Sequence, residues 1–360
     1  MAFALTQQDA ASLDAAIAAI YPLPLGGGEL KQFALLFKYQ SLVNALQNVL
    51  QPQLKQFPSR GFTEEVDVSV GWIDKRPYAL MAGESNKGEI ADGAIFSAHR
   101  FVYPGGSTIR EARCLLLQAK AVKDQGQLQN PTVTLNPAVP NPNSSTGREL
   151  RLLSTWPVFD LYPHAASGSP LVSAVDLNLP ANAVPPHGWF IGTPGSSPTG
   201  VQLQTWTHPW LCGPAVGGAP CTESLGSLLA RFFSGGQLPN VAPKPVDAGA
   251  AFSYQYSDFL NPSSLAGYDR LCVEILRAIP GEFISDRWTG IPGVSKKQTA
   301  TLFSNPFHLA MMSAYSAVRD SLQRLFYEKM PVLLVMRTSK EFHVDSPVSR
   351  RAEPPRIFLG

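Results

Sequence analysis

The first fifty residues carry the apolar spacing of amphipathic helices. Residues 6–20 predict a helix that Thr6 caps, and Pro22 stands just beyond its end. A broad apolar stripe over residues 29–50 predicts a second, longer helix. Nothing in either segment suggests chemistry, so we expect both helices to cover a sheet.

The next seventy residues have the patterns of β-strands. Valine alternates with polar residues over 65–73, which predicts a half-exposed strand. Residues 89–103 and 112–122 predict two further strands that meet across a turn at 103–107. Within the second of these, residues 114–117 form a continuous apolar run, the pattern of a strand covered on both faces.

The chain beyond residue 123 alternates loops with short elements. Residues 124–149 are dense in Asn, Pro and Ser, and they predict a loop. The further predicted elements are a strand and turn at 150–161, strands at 187–194, 201–211 and 332–336, and helices at 222–235, 263–278 and 306–328. Together these elements predict an α/β fold, in which helices flank a mixed central sheet and the C-terminal part is a loop-rich elaboration.

The predicted domain organisation has three parts. Residues 1–125 hold a helical cover and the core of the sheet, 126–149 form the loop, and 150–360 form either an elaboration of that sheet or a second domain. Length allows both alternatives, since 360 residues suffice for one large domain or for two ordinary ones.

Composition describes a globular chain whose charge does not identify its partners. Hydrophobic residues make up 44% of the chain and charged residues 16%, which suits a substantial core. The net charge of +2 is too small to indicate a nucleic-acid-binding surface by itself. A chain that binds an anionic polymer on this balance must gather its positive charge locally. The candidates for that role are Arg100, Arg110, Arg113, Lys120 and Lys123.

The spacing of the cysteines and the hydropathy pattern indicate in which cellular compartment the protein works and whether it binds zinc. The four cysteines are widely spaced without a C-x-x-C pair, so we expect no zinc site and a reducing cytoplasm. The N-terminus lacks the basic region of a signal peptide, and no run of 18 apolar residues predicts a membrane span. Segment 290–299 contains Gly, Lys and Thr without the spacing of a phosphate-binding loop.

Charged and polar residues occur at the end of the most apolar strand, where burial should exclude them. The run at 114–117 is followed at once by Gln118, Ala119 and Lys120. Because strand side chains alternate, Gln118 and Lys120 share one face and Ala119 takes the other. A lysine there is costly unless an anion lies beside it, and Asp92, in an apolar stretch of the preceding strand, is equally costly alone. These charges predict one site shared by two paired strands.

An acidic residue at the head of one strand, a turn, and an apolar strand that ends in Gln-x-Lys resemble the PD-(D/E)xK nuclease superfamily. The match is to its QxK variant, found in Mrr-like restriction endonucleases and in several bacterial anti-phage nucleases. In this resemblance Asp92 corresponds to the metal-binding Asp, Gln118 to the Glu/Gln position and Lys120 to the catalytic Lys. Ala91 stands where the family's name has Pro, a position at which the superfamily often lacks proline. The resemblance covers residues 60–125 and implies a restriction-endonuclease-like core.

Such nucleases usually add a glutamate from upstream, and the sequence offers four. Glu89 is our first choice, and the alternatives are Glu84, Glu64 and Glu65. Since Glu89 and Asp92 are three residues apart, a regular strand would point them to opposite faces. If both bind metal, a bulge or turn is required where the strand begins.

The chemistry of phosphodiester hydrolysis agrees with these residue types. Mg²⁺, or Mn²⁺ in its place, prefers hard oxygen ligands and needs one or two carboxylates besides water. Asp92 and Glu89 would provide carboxylates, and the Ala119 carbonyl and the Gln118 amide oxygen would complete the set. Lys120 would stabilise the charge that develops on the phosphate or orient the attacking water.

The resemblance implies a Mg²⁺-dependent endodeoxyribonuclease of bacterial anti-phage defence. It implies DNA as the partner, a cytoplasmic location without a membrane, and assembly as a homo-oligomer or with a partner protein of a defence system. Two other hypotheses stay open: a non-catalytic nucleic-acid-binding or assembly subunit that keeps the fold, and a structural protein with a buried ion pair at Lys120. Only a nuclease requires the carboxylate of Asp92, so this residue separates the first two hypotheses.

Three further aromatic residues have a functional and a structural interpretation. Trp156 precedes a proline, and we expect it to pack in the core rather than to stack on a nucleic-acid base. His187 and His208 stand beside Trp and Pro residues. We expect them to be packed or solvent-facing rather than to act as ligands or proton carriers.

Overall fold

A large mixed sheet with helices on both faces makes up most of the described chain. The structure is a computed structural model, and it describes residues 2–19, 29–38, 40–57, 61–73, 77–122, 144–180, 184–194, 210–217, 221–236, 246–279 and 330–341. The described helices are α1 (Gln7–Ala18), α2 (Glu29–Lys38), α3 (Gln40–Leu50), α4 (Ser145–Thr155), α5 (Leu225–Phe233), α6 (Tyr256–Leu260) and α7 (Gly267–Arg277). The described strands are β1 (Gln56–Phe57), β2 (Phe62–Ile73), β3 (Tyr78–Met81), β4 (Gly88–Glu89), β5 (Gly93–Tyr103), β6 (Gly106–Val122), β7 (Phe159–Tyr162), β8 (Val172–Val175), β9 (Gly188–Pro194), β10 (Leu211–Pro214), β11 (Glu223–Ser224), β12 (Ala250–Phe252) and β13 (Met330–Glu341).

The strands form two sheets. The larger has the order β1-β2-β13-β5-β6-β9-β10-β11, and β12 pairs with β6 beside this path. Strand β13 is parallel to β5 and β9 is parallel to β6, whereas the other neighbours are antiparallel. The smaller sheet has the order β4-β3-β7-β8. A mixed sheet flanked by helices confirms the predicted fold class at this level, and its restriction-endonuclease-like identity stays a prediction.

Two hydrophobic layers cover the large sheet. On one face, helices α1, α2, α3 and α5 pack on strand residues such as Ile95 and Leu117. On the other face, α4, α7 and the smaller sheet pack on residues such as Phe96 and Leu116. Since neighbouring strand residues enter opposite layers, β5 and β6 are buried on both faces. The apolar run at 114–117 predicts this arrangement correctly.

The large sheet runs across the predicted boundaries at residues 125 and 149. Strands β9 to β13 all come from residues 150–360, and they join the sheet that holds β5 and β6. Strand β13 lies centrally, hydrogen-bonded to β2 on one side and to β5 on the other. The predicted strand at 332–336 is therefore confirmed, and it is longer and more central than its apolar run indicates.

Several predicted elements are confirmed with shifted bounds. Helix α1 begins after the predicted cap, where the Asp9 N–H donates to Thr6 Oγ1. The single helix predicted over 29–50 is instead two helices, α2 and α3. The helices predicted at 222–235 and 263–278 correspond to α5 and α7. The predicted helix at 306–328 and most of the predicted strand at 201–211 lie outside the described residues.

The strand predicted to start at residue 150 is wrong, because residues 145–155 form helix α4. Ser144 caps this helix by accepting a hydrogen bond from the Gly147 N–H. Its buried residues Glu149, Leu152 and Leu153 have the i, i+3, i+4 spacing of a helix. A short apolar run does not by itself distinguish a helix from a strand. Residues 145–149 therefore belong to a helix rather than to the predicted loop, and residues 124–143 of that loop lie outside the described residues. The end of the predicted strand is β7.

Candidate functional site

Asp92 lies at the head of β5, where the chain passes from the smaller sheet to the larger one. The Ile90 N–H donates to the Pro77 carbonyl at 3.2 Å, and the Asp92 N–H donates to the Leu117 carbonyl of β6 at 2.9 Å. Gly93 then opens the β5–β6 pairing opposite Leu117. The Asp92 side chain is 2% exposed, so this transition places a carboxylate inside the protein.

Helix α2 covers the same end of β5. A Cβ atom added at Gly93 would lie 2.5 Å from Cε1 of the Phe33 ring, too close for any residue but glycine. Phe33 therefore packs directly on the backbone beside Asp92. Phe33 belongs to the hydrophobic layer on one face of the large sheet, and α4 packs on the other face.

Two residues at the Gln-x-Lys end of β6, Gln118 and Ala119, contact Asp92. Gln118 Nε2 donates to Asp92 Oδ2 at 2.5 Å, and the Ala119 N–H donates to the same oxygen at 2.9 Å. Gln118 is 1% exposed, and its Oε1 atom has no hydrogen-bond partner among the described residues. The structure thus brings together three of the predicted site residues, and we call them the Asp92 corner.

Lys120, the next residue on the same face of β6 as Gln118, pairs with a carboxylate of helix α4. Lys120 Nζ lies 2.5 Å from Glu149 Oε2. Ser145 Oγ, one turn earlier in the helix, donates to Glu149 Oε1 at 2.7 Å. The side chain of Glu149 is 4% exposed and that of Lys120 is 22% exposed. Glu149 is not among the predicted site residues, because residues 124–149 were predicted to form a loop.

A glycine in β9 lets helix α4 approach the sheet closely. Gly188 is opposite Leu116 in the parallel β6–β9 pairing. A Cβ atom at Gly188 would lie 2.8 Å from Leu153 Cδ2, so a larger residue would push the helix away. Because Leu153 and Glu149 are one turn apart in α4, this contact also sets the distance between Glu149 and Lys120.

Glu89, the first choice for an upstream carboxylate, is near Asp92 in sequence but belongs to the smaller sheet. It ends strand β4 and is half-buried. The Tyr78 hydroxyl donates to Glu89 Oε1 at 2.7 Å. This hydrogen bond connects Glu89 to β3. The chain does turn between the two residues, as joint metal binding would require.

The alternative glutamates have other partners. Glu84 forms an ion pair with Arg151 of α4. Glu64 accepts hydrogen bonds from Arg337 and from Ser339 of β13, and the sheet register aligns Ser339 with Phe101 of β5. Residue 101 is eight positions from Gly93, which is roughly 27 Å along an extended strand. Neither Glu64 nor its neighbour Glu65 can therefore complete a site at Asp92.

The basic residues expected around the site are mostly elsewhere. Arg100 is opposite Ile109 near the hairpin turn, and Arg110 packs on the Phe101 ring there. The Nη2 atom of Arg113 donates to the carbonyls of Ala248 and Gly249. Lys123 lies outside the described residues. Of the five predicted cations, the structure therefore places Lys120 at the site, where it pairs with Glu149.

The aromatic residues singled out in the sequence pack in the core. Trp156 is buried against Phe159, which confirms the predicted packing. His187 lies between Trp156 and Tyr268, with ring centroids 5.9 Å and 4.3 Å away. Burial lowers the pKa of His187 to about 4, so the imidazole is neutral at physiological pH. His208 lies outside the described residues.

The Asp92 corner has the donor types that a hard cation prefers. Asp92 supplies a carboxylate, and Gln118 has a buried amide oxygen without a described hydrogen-bond partner. Because a glutamine amide can present either its oxygen or its NH₂ group, Gln118 can donate to Asp92 or share a cation with it. In the part of the chain that the structure covers, no three His, Cys, Asp or Glu residues form a metal-binding group. The corner therefore offers oxygen ligands of the kind that hard cations prefer, and a bound Mg²⁺ stays a prediction.

Comparison with known proteins adds no relative. No family model, no curated protein and no solved structure matches this chain. Among the described helices, none has the length and apolar character needed to cross a membrane.

Proposed function

We propose that this protein is a metal-dependent nuclease that hydrolyses phosphodiester bonds of DNA in bacterial anti-phage defence. The observation that carries the proposal is the convergence at the Asp92 corner. Gln118 and Ala119, which follow Asp92 by 26 and 27 positions in the chain, each donate a hydrogen bond to Asp92 Oδ2. Lys120 follows them on the same strand. The antiphage role comes from the resemblance of these residues to the QxK nucleases.

Strand order around the corner also supports the proposal. Strands β5 and β6 form an antiparallel hairpin with Asp92 at its open end. Along the chain, helix α4 follows β6, and strands β7 and β8 come before β9, which is parallel to β6. Gln118 and Lys120 therefore occupy fixed positions on β6, because strands hold side chains more rigidly than loops do. Asp92 immediately precedes β5, and its hydrogen bonds connect it to β6.

Each residue has a distinct role in the proposed reaction. Asp92, the Gln118 amide oxygen and the Ala119 carbonyl would hold Mg²⁺ or Mn²⁺. When bound, the ion would lower the pKa of a water molecule and neutralise charge on the phosphate. Lys120 would donate hydrogen bonds to the phosphate oxygens as negative charge develops on them.

A second candidate function is a non-catalytic nucleic-acid-binding or assembly subunit. It is favoured by one observation: Asp92 Oδ2 already accepts two hydrogen bonds from protein donors, so the carboxylate has structural partners without a metal. The two candidates differ in what they require of Asp92. A binding subunit keeps its function with asparagine at this position, whereas a nuclease loses cleavage.

Cleavage of supercoiled, linear and single-stranded DNA in the presence of Mg²⁺ or Mn²⁺ tests the proposed function. We expect the wild type to cut at least one form, and we expect Asp92→Asn and Lys120→Ala to abolish cutting. Asp92→Asn is the sharper variant, because asparagine retains an oxygen that can accept from the Ala119 N–H. Cutting that survives in Asp92→Asn would reject the assignment of the site.

A further inference from the structure

The ion pair between Lys120 and Glu149 joins two groups of unequal burial. Glu149 is nearly enclosed by α4 and the sheet, whereas about a fifth of the Lys120 side chain is exposed, 22% against 4%. The carboxylate is held by its helix and by the hydrogen bond from Ser145 at 2.7 Å. Glu149 is thus the fixed partner, and Lys120 is the partner that could move into solvent.

A free lysine is poorly suited to a defined position in an active site. Its ammonium group sits on a flexible four-carbon stem, which samples many rotamers when nothing binds the charge. A partly buried carboxylate limits that sampling more effectively than a surface carboxylate, since water and salt screen it less. Gly188 strengthens the restriction, because it lets α4 approach β9 through Leu153.

We propose that Glu149 is a positioning residue, which fixes the Lys120 ammonium at the end of β6, where the phosphate of the substrate would bind. The catalytic meaning of this inference rests on the proposed function, whereas the restraint on Lys120 does not. Neither the Gln-x-Lys pattern nor the predicted upstream glutamates indicates this residue. It comes from helix α4, on the other side of the predicted loop.

Two elements of the described structure place carboxylates near Lys120. Helix α4 contributes Glu149, and the head of β5 contributes Asp92, which contacts the neighbouring residue Ala119. Strand β9, which pairs with β6 here, consists of residues without ionisable side chains. Removal of the Glu149 charge should therefore increase the mobility of the Lys120 side chain.

Acylation of individual lysines by an amine-reactive ester, followed by mass spectrometry, tests the restraint without any need for activity. In Glu149→Gln we expect Lys120 to react several-fold faster than in the wild type, because no carboxylate of α4 then holds its amino group. Ser145→Ala, which keeps the carboxylate but removes its hydrogen-bond donor, should give a smaller acceleration. Lys340, at the end of β13, serves as the internal reference.

The matched control breaks a different buried ion pair. Glu223 and Arg231 are both 3% exposed and lie 2.9 Å apart in the layer opposite α4. Glu223→Gln should lower stability without a change in the acylation of Lys120. Equal acceleration in Glu223→Gln and Glu149→Gln, or none in Glu149→Gln and Ser145→Ala, would overturn the inference.

Cleavage kinetics of the same variants separate the inference from the proposed function. We expect Glu149→Gln to lower kcat and to leave KM unchanged, because the lysine stays present but is no longer held. Faster acylation with an unchanged kcat would reduce Glu149 to a structural partner and overturn its positioning role. If the wild type does not cut DNA, the proposed function fails, and acylation still decides whether Glu149 restrains Lys120.

Discussion

Three polar residues of the site could be found from the sequence: Asp92 just before β5, and Gln118 and Lys120 in β6. Glu149 could not. Asp92, Gln118 and Lys120 stand out because each interrupts an apolar strand, where an unpaired charge or amide is costly. Glu149 gives no such signal, since it follows a Pro- and Asn-rich stretch in which a glutamate is ordinary. Its burial is a consequence of tertiary packing of α4, which no local pattern reveals.

Loss of Lys120 should destabilise the protein. Lys120→Met leaves the Glu149 carboxylate nearly buried without its cation, and we expect the free energy of unfolding to fall by about 3 kcal/mol. Urea denaturation measures this change. The interpretation of Lys120 as one half of a dispensable ion pair gives the opposite result, unchanged or increased stability.

The double variant Lys120→Met/Glu149→Leu is the control for this effect. It removes both charges and leaves a hydrophobic contact between β6 and α4, so we expect it to recover most of the lost stability. A double variant as unstable as Lys120→Met would show that the loss comes from packing around the lysine stem rather than from the unpaired carboxylate.

At the scale of elements, the strands were predicted more reliably than the helix that completes the site. The apolar run at 114–117 and the turn at 103–107 locate β5 and β6, since period and turn residues agree. The predicted strand at 89–103 is divided, because residues 90–92 separate β4 from β5, and β6 begins at residue 106 rather than 112. Helix α4 was predicted as a strand from residue 150 onward, because its apolar residues are few and its cap, Ser144, lies in a segment assigned to a loop. The central position of β13 also depends on pairings across more than two hundred residues.

The approach of α4 to β9 should depend on Gly188. Alanine at this position would place a Cβ atom against Leu153, and we expect Gly188→Ala to cost about 1–3 kcal/mol of stability through the displaced helix. The matched control is Gly168→Ala, since nothing lies within 4 Å of the added Cβ there. That substitution should change stability by less than about 0.5 kcal/mol. Equal effects of the two alanines would contradict the close helix–strand contact.

For the molecule as a whole, the buried His187 and the half-buried His99 make stability depend on pH. Burial lowers the pKa of His187 to about 4, and burial followed by the charge of Arg337 lowers the pKa of His99 to about 4. Between the ordinary histidine pKa near 6.5 and this value, the unfolded chain binds more protons than the folded one. The free energy of unfolding should therefore fall as the pH decreases through that window.

The contribution of His187 can be isolated by substitution. We expect the wild type to lose stability between about pH 7.5 and pH 5, and His187→Gln to lose less, because glutamine does not titrate. Urea midpoints at the two pH values measure the difference. The same loss in both proteins would mean that His187 is protonated as readily in the folded state as in the unfolded state.

The proposed nuclease function depends on a cation at Asp92. Titration of the folded protein with Mn²⁺, followed by electron paramagnetic resonance, tests for this cation most directly. Unlike cleavage, metal binding needs neither a particular DNA nor an activating partner. We expect the wild type to bind Mn²⁺, Mg²⁺ to compete for the same site, and Asp92→Asn to lose that site while it remains folded. A folded wild type that binds no Mn²⁺, or an Asp92→Asn variant that binds it equally well, would contradict the account.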